Sequence, residues 1–436
     1  MKQLIILVCL CFSGALFAQD IMSLYQLRRE AETNYPNLAK SDLLTPEYEN
    51  KIRNLNAGYL PGIELGGRAS WQSDVTTIAF EQASDDVPFN IEDIVTIPEM
   101  RKDNYRITLD ISQVIWDGGM IKHAREVEKA ALEVSMKQYE VDIYSVGKAV
   151  NDLFFALLML KEKEKVLSLT LDELKSQSEA MKSAINNGVL ASWNADVLSA
   201  EILQIEQQTE ANTAQIYGVI DAINILTGKQ YSFDSEPTIP EVDISIDVES
   251  ISRPELQVFD AGINRLKASE NLIYRQRLPV VAGFGQAGYG LPGLNMFSNE
   301  FQPWAMAGIT FKWKLWDWKQ NRRQRLNLQV NQAIMTLEKE TARQKFLQAA
   351  ALKNAQISQY EKMLLKDNEI IAMREKVKQA AARQLEEGTI TSTSYITEMN
   401  REKQAVLDRQ IHRILLIQSK VEYLQTTGAI NESLQN

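Results

Sequence analysis

The sequence is poor in the residues that usually carry catalytic and metal chemistry, with two cysteines and two histidines among 436 residues. Cys9 and Cys11 lie near the N-terminus, inside a segment that we predict to be removed. Disulfides, thiol catalysis and cysteine–metal sites are therefore excluded for the remaining chain. His123 and His412 lie far apart in helical patterns, where solvated or packed roles are commoner than metal ligation. We predict no metal site, no cofactor and no enzymatic activity.

Runs of basic residues are absent too, and the net charge is −10, which argues against nucleic-acid binding. Beyond residue 18 no apolar run reaches the roughly 18 residues that a membrane helix needs. The longest run extends from Leu153 to Leu160. We therefore expect no membrane-spanning helix, and a chain that crosses a membrane without one must use strands.

Residues 1–18 have the pattern of a secretory signal peptide. Lys2 precedes an apolar run from Leu4 to Leu10, and small residues lead to Ala18, the expected cleavage point. The apolar run is too short for a membrane anchor, so we expect an exported protein.

Four later segments alternate apolar and polar residues with the period of a β-strand: about 60–74, 104–116, 279–290 and 304–316. Charged residues such as Arg68, Arg106 and Lys312 occupy alternate positions, where they need water or partners. This is typical of transmembrane barrel strands, whose apolar side chains face lipid and whose polar ones face a wet lumen. A small soluble β domain with one solvated face remains the alternative.

Each pair of strands precedes a long helical hairpin, predicted at about 119–227 and 319–427. The first carries a heptad seam typical of a coiled coil: Leu153, Leu157, Leu160, Glu164, Leu167, Leu171, Leu174, Ser178, Met181 and Ile185. The second begins with the same spacing at Leu326, Val330, Ala333 and Leu337. Gly188 and Gly388 are expected to end the outgoing helices. Possible caps of the returning helices are Ser192 or Asn194, and Ser392 or Ser394.

The chain is duplicated, because three landmarks recur 200 residues apart: Trp116-Asp117 with Trp316-Asp317, Gly188 with Gly388, and Thr227-Gly228 with Thr427-Gly428. This divides the chain into a helical segment at 19–58, a first repeat at 59–228, a linker at 229–252, a second repeat at 253–428 that opens with a helix at 253–277, and a tail at 429–436. Four strands cannot close a barrel, and open strand edges are not tolerated in lipid. Several subunits must therefore share one barrel.

This layout resembles the TolC-like outer membrane factors, the outer membrane efflux protein family of exit ducts. The resemblance is carried by the duplication, by the strand ending Val114-Ile115-Trp116-Asp117-Gly118-Gly119, and by the two tips. It implies a mixed α and β membrane protein: a homotrimer with a shared twelve-stranded β-barrel, a periplasmic α-helical barrel, and an equatorial domain that includes the linker.

The resemblance also implies sites. The hairpin tips would dock a periplasmic adaptor (membrane fusion) protein: Gly188, Val189, Leu190, Ala191, Gly388, Thr389, Ile390 and Thr391. Family members often carry acidic pore-constricting residues after the second tip, but here those positions are Ser394 and Thr397, with Asp196 and Glu398 the nearest acids. An acidic, cation-sensitive gate is therefore not expected. The strand-to-helix turns are candidate membrane-interface sites: Trp116, Asp117, Gly118, Trp316 and Asp317.

The predicted function is that of an outer-membrane duct of a Gram-negative bacterium, which passively passes drugs or other small molecules from an inner-membrane pump of the RND, ABC or MFS type. Three alternatives remain open. One is an exit duct for type I protein secretion, which the sequence does not separate from efflux. Another is a periplasmic coiled-coil protein without a pore. The last is a periplasmic adaptor, which would have one hairpin and no duplicated strands.

Overall fold

The computed structural model describes residues 21–77, 100–186, 191–244 and 251–430. The predicted signal peptide, most of the first hairpin tip (Gly188, Val189 and Leu190) and most of the C-terminal tail lie outside the described residues. The elements are β1 (Ile21–Met22), α1 (Leu24–Asn34), a 3-10 helix (Pro36–Ala39), α2 (Lys40–Ala57), β2 (Gly62–Trp71), β3 (Asp103–Trp116), α3 (Met120–Asn186), α4 (Trp193–Thr227), β4 (Glu236–Pro237), α5 (Pro254–Arg275), β5 (Val280–Leu291), β6 (Gln302–Lys312), α6 (Gln320–Glu386) and α7 (Ser392–Thr427).

The mixed α and β architecture agrees with the prediction, and its two halves repeat one order of elements. A helix, two strands and a long helical hairpin occur first as α2, β2, β3, α3 and α4, and again as α5, β5, β6, α6 and α7. The outgoing helices α3 and α6 have 67 residues each, and their first residues lie 200 positions apart. The fourth strand is shorter than its alternation predicts, since β6 ends at Lys312 rather than 316.

The chain divides into two compact units. The sheet unit comprises residues 42–136 and 258–338, and the helical unit comprises residues 1–41, 137–257 and 339–436.

The sheet unit contains one antiparallel four-stranded sheet with the order β2-β3-β5-β6. Within each repeat the two strands form a continuous ladder, and β3 and β5 join the repeats with a bulge between Val114 and Trp116. β2 and β6 are therefore edge strands, and no further strand pairs with either among the described residues.

Helices of the sheet unit pack in equivalent pairs. In the first repeat, the Lys51 ammonium of α2 lies 3.8 Å from the Glu128 carboxylate of α3. In the second, the Glu270 carboxylate of α5 accepts hydrogen bonds from Arg325 and Gln329 of α6, at 2.9 and 2.8 Å. Each strand pair is thus flanked by a short helix packed on the start of a long one.

The helical unit has a core in which the N-terminal segment, the linker and the chain end meet. Phe154 and Leu157 of α3 are fully buried beside Leu24 and Leu27 of α1, and the cluster also takes in Val242 of the linker. β1 and β4 pair in parallel at this core. The Arg28 guanidinium is buried there and donates to Asn151 and Gln425, both at 3.0 Å. Its burial lowers its pKa, with partial compensation from the charge of Glu32.

Both returning helices end on a glycine in the left-handed conformation. Gly228 and Gly428 have φ of 68° and 90°, and each donates its N–H to the carbonyl four residues earlier. A Cβ on Gly428 would lie 2.3 Å from the Ser252 carbonyl oxygen, so this position requires glycine for space as well as for φ.

The predicted seam of the first hairpin is confirmed, since Leu157, Leu167, Leu174 and Met181 are all buried. The seam predicted at the start of the second hairpin is not buried by the described residues, since Leu326 and Val330 are exposed. Further along α6 a second set of apolar side chains is exposed as well: Leu352, Leu365, Ile370, Met373 and Val377.

The exclusion of membrane-spanning helices was too strong. One helical stretch within Met120–Ser183 is apolar and long enough to span a bilayer by length and composition alone, and 44% of it is buried within the chain. The longest unbroken apolar run, from Leu153 to Leu160, is short, but a helix that contains a few charges can still be apolar on average over the length of a bilayer. Phe154, Phe155 and Leu157 lie in the helical core, which accounts for much of this apolar character.

Candidate functional site

The first strand-to-helix turn is organised by the carboxylate of Asp117. It accepts hydrogen bonds from the backbone N–H groups of Gly119, at 2.8 Å, and Ile121, at 2.6 Å, and a third from the Tyr59 hydroxyl, at 3.2 Å. Asp117 thereby satisfies free N–H groups at the start of α3. Gly118 has φ of 69°, and a Cβ there would collide with Leu278.

The second turn has the same backbone conformation without glycine. Asp317 accepts from the N–H of Asn321 at 2.9 Å, and this hydrogen bond lowers the pKa of the Asp317 carboxyl. Trp318 and Lys319 have φ of 53° and 61°, which is uncommon for residues with a side chain. The Trp318 carbonyl accepts a hydrogen bond from Arg323 at 2.9 Å, which helps to hold the turn.

The turns carry exposed tryptophans. Trp116 is the last residue of β3, and Trp316 lies four residues beyond the end of β6. The exposed fractions of their side chains are 45% and 66%, and that of Trp318 is 77%. Trp316 and Trp318 pack edge to face with ring centroids 5.8 Å apart.

The sheet itself has one apolar and one polar face, and the apolar face is uncovered. Side chains exposed on it include Ile63, Leu65, Ile107, Ile309 and Phe311. On the polar face the register sets like charges opposite each other, Glu64 against Asp110 and Arg68 against Arg106. Such pairs destabilise a sheet unless water or counter-charges surround them, so this face requires one or the other.

The second hairpin tip is a compact helix end followed at once by a helix start. Gly388 has φ of 72°, its N–H donates to Leu385 O at 3.0 Å, and the N–H of Thr389 donates to Gln384 O at 2.9 Å. These two bonds form a Schellman motif. The cap of α7 is Thr391, whose hydroxyl accepts from the N–H of Ser394 at 3.3 Å, rather than Ser392 or Ser394 as predicted. Ile390 is partly buried against the helical unit.

Of the first tip, the structure describes only Ala191 among the predicted docking residues. Ser192 is at the cap position of α4 but makes no capping bond through its side chain. The other predicted cap, Asn194, donates through its side chain to Ala191 O at 3.1 Å.

The two hairpins are joined beside their tips by a buried hydrogen bond. The Ser392 hydroxyl donates to Asn194 Oδ1 at 2.9 Å, and the Ser392 N–H reaches the same oxygen at 3.3 Å. Both side chains are buried, with exposed fractions of 0% and 5%. Both residues are predicted as caps from their local sequence, and this contact is not, because nothing in a local pattern indicates that the two hairpins meet there.

The four candidate constriction residues do not form a group among the described contacts. Asp196 and Ser394 are exposed, and the Thr397 hydroxyl donates to Thr393 O at 2.8 Å within its own helix. Glu398 is paired with Arg374, at 3.4 Å, and with Arg401. Its charge is therefore compensated by two guanidinium groups.

A cluster of ion pairs, which the sequence did not indicate, joins α3, α6 and α7. The Glu173 carboxylate lies 2.6 Å from the Lys403 ammonium and 3.2 Å from that of Lys378, and Glu402 lies 3.2 Å from Lys378. The Tyr395 hydroxyl donates to Glu173 at 3.4 Å. We call these five residues the Glu173 cluster.

The charges in the Glu173 cluster stabilise one another. Burial alone would raise the pKa of Glu173, but Lys403 and Lys378 outweigh it and hold the pKa below its usual value. For Lys378, burial would lower the pKa, but Glu173 and Glu402 raise it overall. Burial and the neighbouring Glu173 charge raise the pKa of Tyr395.

An apolar cluster that joins four helices adjoins the charged one. It takes residues from both hairpins, all of them buried: Leu167, Leu174, Met181, Leu198, Ile205, Ala381, Leu385, Tyr395, Ile396 and Met399. Tyr395 belongs to both clusters. Over this part of the helical unit, the two hairpins are therefore packed as one body.

The part of the chain that the structure describes contains no group of three or more histidine, cysteine or acidic residues arranged to hold a metal ion. His123 lies 2.7 Å from Glu126 on the same helix, and His412 lies 2.8 Å from Asp367 across two helices.

Comparison with known proteins matches the predicted resemblance. Residues 27–221 match the family model described as outer membrane efflux protein, whereas no match was found among curated proteins. Three solved structures share the fold. They are the outer-membrane channel OprN (14% identity, TM-score 0.68, covering 93% of this chain and 90% of that one), the CmeC outer membrane channel of Campylobacter jejuni (14%, 0.64, 93% and 86%) and the outer membrane protein VceC of Vibrio cholerae (14%, 0.64, 94% and 95%).

Proposed function

We propose that this chain, whose first half matches the outer membrane efflux protein family and whose fold is that of outer-membrane channels, is the exit duct of a tripartite efflux system. It lies in the outer membrane of a Gram-negative bacterium and extends into the periplasm. Drugs or other small molecules pass through it without chemical change, and an inner-membrane pump supplies the free energy.

The observation that carries the proposal is the sheet with opposite faces. Its exposed apolar side chains, such as Leu65 and Ile309, would be costly in water over so large an area and favourable in lipid. Its polar face, with Arg68 opposite Arg106, would be costly in lipid and favourable in a water-filled lumen. A pore wall meets both requirements.

The two open strand edges support a barrel that several subunits share. Lipid does not tolerate unpaired strand edges, so β2 and β6 must each pair with another subunit in a shared barrel. The exposed apolar stripe along α6, which includes Leu365 and Met373, also calls for a partner helix. Three copies with four strands each give the twelve-stranded barrel that the family resemblance implies.

The hairpin tips are proposed as the docking surface for a periplasmic adaptor. The surface comprises Gly188, Val189, Leu190 and Ala191 of the first tip and Gly388, Thr389, Ile390 and Thr391 of the second. The Schellman motif at Gly388 and the Ser392–Asn194 hydrogen bond support this role, because they give the second tip a defined shape and fix it against the start of α4. We propose Trp116 and Trp316 as anchors at the membrane interface, where tryptophan is enriched.

The constriction of the closed duct is assigned to the first turns of the returning helices, at Asp196, Ser394, Thr397 and Glu398. Because Arg374 and Arg401 compensate Glu398, we do not propose a strong cation site there. Strong block of the current by multivalent cations would contradict this part.

Conductance tests the duct directly. Purified trimers are inserted into a planar bilayer, once unchanged and once with Ser392→Ala and Glu173→Gln to loosen the tips. We expect small or brief currents from the unchanged protein and larger ones from the variant. A folded trimer that conducts in neither form would overturn the proposal. In cells, deletion should increase drug susceptibility; loss of a secreted protein instead would assign the duct to type I secretion.

A further inference from the structure

The two repeats share one strand register as well as one order of elements. The long helices begin 200 residues apart, and the dipeptides Leu60-Pro61 and Leu278-Pro279 before β2 and β5 lie 218 residues apart. With these offsets the ladder β2–β3 becomes the ladder β5–β6: Leu65 opposite Leu109 corresponds to Gly283 opposite Ile309, which is the observed pair. The sheet is therefore periodic, and its period is one repeat.

The junction between the repeats predicts the junction between subunits. Inside the chain β3 pairs antiparallel with β5, with Leu109 opposite Ala287. One repeat further on, the equivalent of β3 is β6, and the equivalent of β5 is a β2 strand. Within the described chain, β2 and β6 are the two edges of the sheet and do not meet, so a β2 strand for β6 must come from a second copy.

We infer that β6 of one subunit pairs antiparallel with β2 of the next in the register that this periodicity dictates. Shifting the β3–β5 pairs by the two offsets sets Ile309 opposite Ala69 and Phe311 opposite Gly67 of the second copy. β6 ends at Lys312 in the single chain, and its extension by two residues along the second copy would set Trp313 opposite Leu65 and Lys314 opposite Glu64. The inference rests on the proposed shared barrel and adds to it a specific register and an ion pair.

The side-chain pattern supports this register independently of the repeat. It joins Ile309 and Phe311 to β2 positions on the same apolar face, whereas a slip of one residue would place lipid-facing residues beside lumen-facing ones. Aromatic and aliphatic side chains would meet where Trp313 opposes Leu65, and both are exposed in the single chain.

Charge complementarity adds a second argument. Within the chain Glu64 lies opposite Asp110, which is unfavourable for two carboxylates. The neighbouring Asp110 accepts hydrogen bonds from Thr108 and Gln286, whereas no ion pair to Glu64 or Lys314 is formed in the described part of the chain. Lys314 of a second copy would lie on the open side of Glu64 and compensate its charge.

Cysteine cross-linking tests the register in the exported protein, from which the predicted signal peptide, with Cys9 and Cys11, has been removed. Ala69→Cys combined with Ile309→Cys should give disulfide-linked dimers and trimers on non-reducing gels. The matched control is Ala287→Cys with Leu109→Cys, the equivalent pair inside one chain, which should link without a change in oligomer size. A second control combines Ala69→Cys with Ala307→Cys, a pair that is displaced by two residues from the inferred register. Its yield of disulfide-linked subunits should be lower by about tenfold or more.

The ion pair is tested by a double-mutant cycle with Lys314→Gln and Glu64→Gln, read as the temperature at which the trimer dissociates in detergent. If the side chains pair, the dissociation temperature of the double variant is only slightly below that of the less stable single variant. Additive losses would overturn the ion pair.

Failure of the register can be distinguished from failure of the duct. Two results in a protein that still conducts would overturn the register but not the proposed duct. One is strong disulfide formation at the displaced pair, and the other is disulfide formation that never joins two subunits. A monomer that neither links nor conducts would overturn both.

Discussion

Gly119 and Lys319 occupy the same left-handed backbone conformation, with φ of 84° and 61°, at equivalent positions of the two repeats. A side chain in this region costs about 1–2 kcal/mol. We therefore expect Gly119→Lys to lower the free energy of unfolding by about 1 kcal/mol, as measured by urea titration in detergent. A Cβ at Gly119 has room, its nearest neighbour being His123 at 3.9 Å, so the backbone conformation is the main cost.

The reciprocal change, Lys319→Gly, serves as the control and should raise the free energy of unfolding by up to about 1 kcal/mol. Relief of the strained conformation is only partly offset there by the larger entropy of glycine in the unfolded chain. A loss of stability in Lys319→Gly would contradict this explanation.

Ser392→Ala should destabilise the contact between the hairpins by about 0.5–1.5 kcal/mol, because the buried Asn194 oxygen loses the hydroxyl donor at 2.9 Å and keeps only the Ser392 N–H at 3.3 Å. Thermal unfolding of the trimer measures this loss. Ser394→Ala is the matched control, since Ser394 is exposed, and its effect should stay within about 0.5 kcal/mol. A smaller effect for Ser392→Ala than for Ser394→Ala would show that the buried hydrogen bond does not stabilise the tips.

Glu173 should make stability depend on pH in acid. Its pKa is lowered in the folded chain by Lys403 and Lys378, so its contribution is present above the unfolded-state pKa and is lost as the pH falls through the folded-state pKa, below about pH 4. Lys378 has a raised pKa, so its contribution is lost only in strong base. Glu173→Gln should lower stability by about 2 kcal/mol at neutral pH and weaken the acid dependence.

Glu179→Gln is the control for that experiment, because Glu179 is an exposed carboxylate on the same helix. Its stability should follow the unchanged protein from pH 3 to pH 7. If Glu173→Gln kept the full acid dependence, another carboxylate would be responsible.

How far the sequence predicts this molecule depends on where the partners of each residue lie. The seam of α3 was predictable from Leu157, Leu167 and Leu174, because regular spacing on one helix reveals a buried stripe. The same spacing at Leu326 and Val330 predicts a seam that the described part of the chain leaves exposed. A heptad pattern shows that a partner is needed, but it does not show whether that partner is in the same chain.

The Glu173 cluster and the Ser392–Asn194 bond could not be predicted in the same way. Glu173 and Lys403 are far apart in sequence, and each has the appearance of an ordinary charge on a helix surface. Only the packing of three helices brings them together. The first turn was easier to predict, because Asp117 and Gly118 are residue types that cap helices and adopt positive φ. In the second turn, Trp318 and Lys319 give no such local signal.

Gly388→Val should lower drug resistance while the trimer still assembles. A β-branched residue is strained at φ of 72°, so the tip changes shape while the buried clusters stay intact. The same change at Gly188 should act alike if that tip also docks. Minimum inhibitory concentrations and cross-linking to the adaptor measure the effect. Gly388→Asn is the control, because asparagine tolerates this conformation. Unaltered resistance in both valine variants would count against docking at the tips.

Met373→Asp should prevent or weaken trimer formation. Met373 is 65% exposed in the single chain, and burying a carboxylate in an apolar contact between helices carries a large desolvation cost. The neighbouring Ala372 is exposed too, but it lies about 100° around the helix from Met373, so Ala372→Asp introduces the same side chain off the apolar stripe and should leave the trimer largely intact. Sedimentation in detergent distinguishes the species. If Met373→Asp stayed fully trimeric, the α6 stripe would have to face something other than a second subunit, and the strand edges alone would hold the oligomer together.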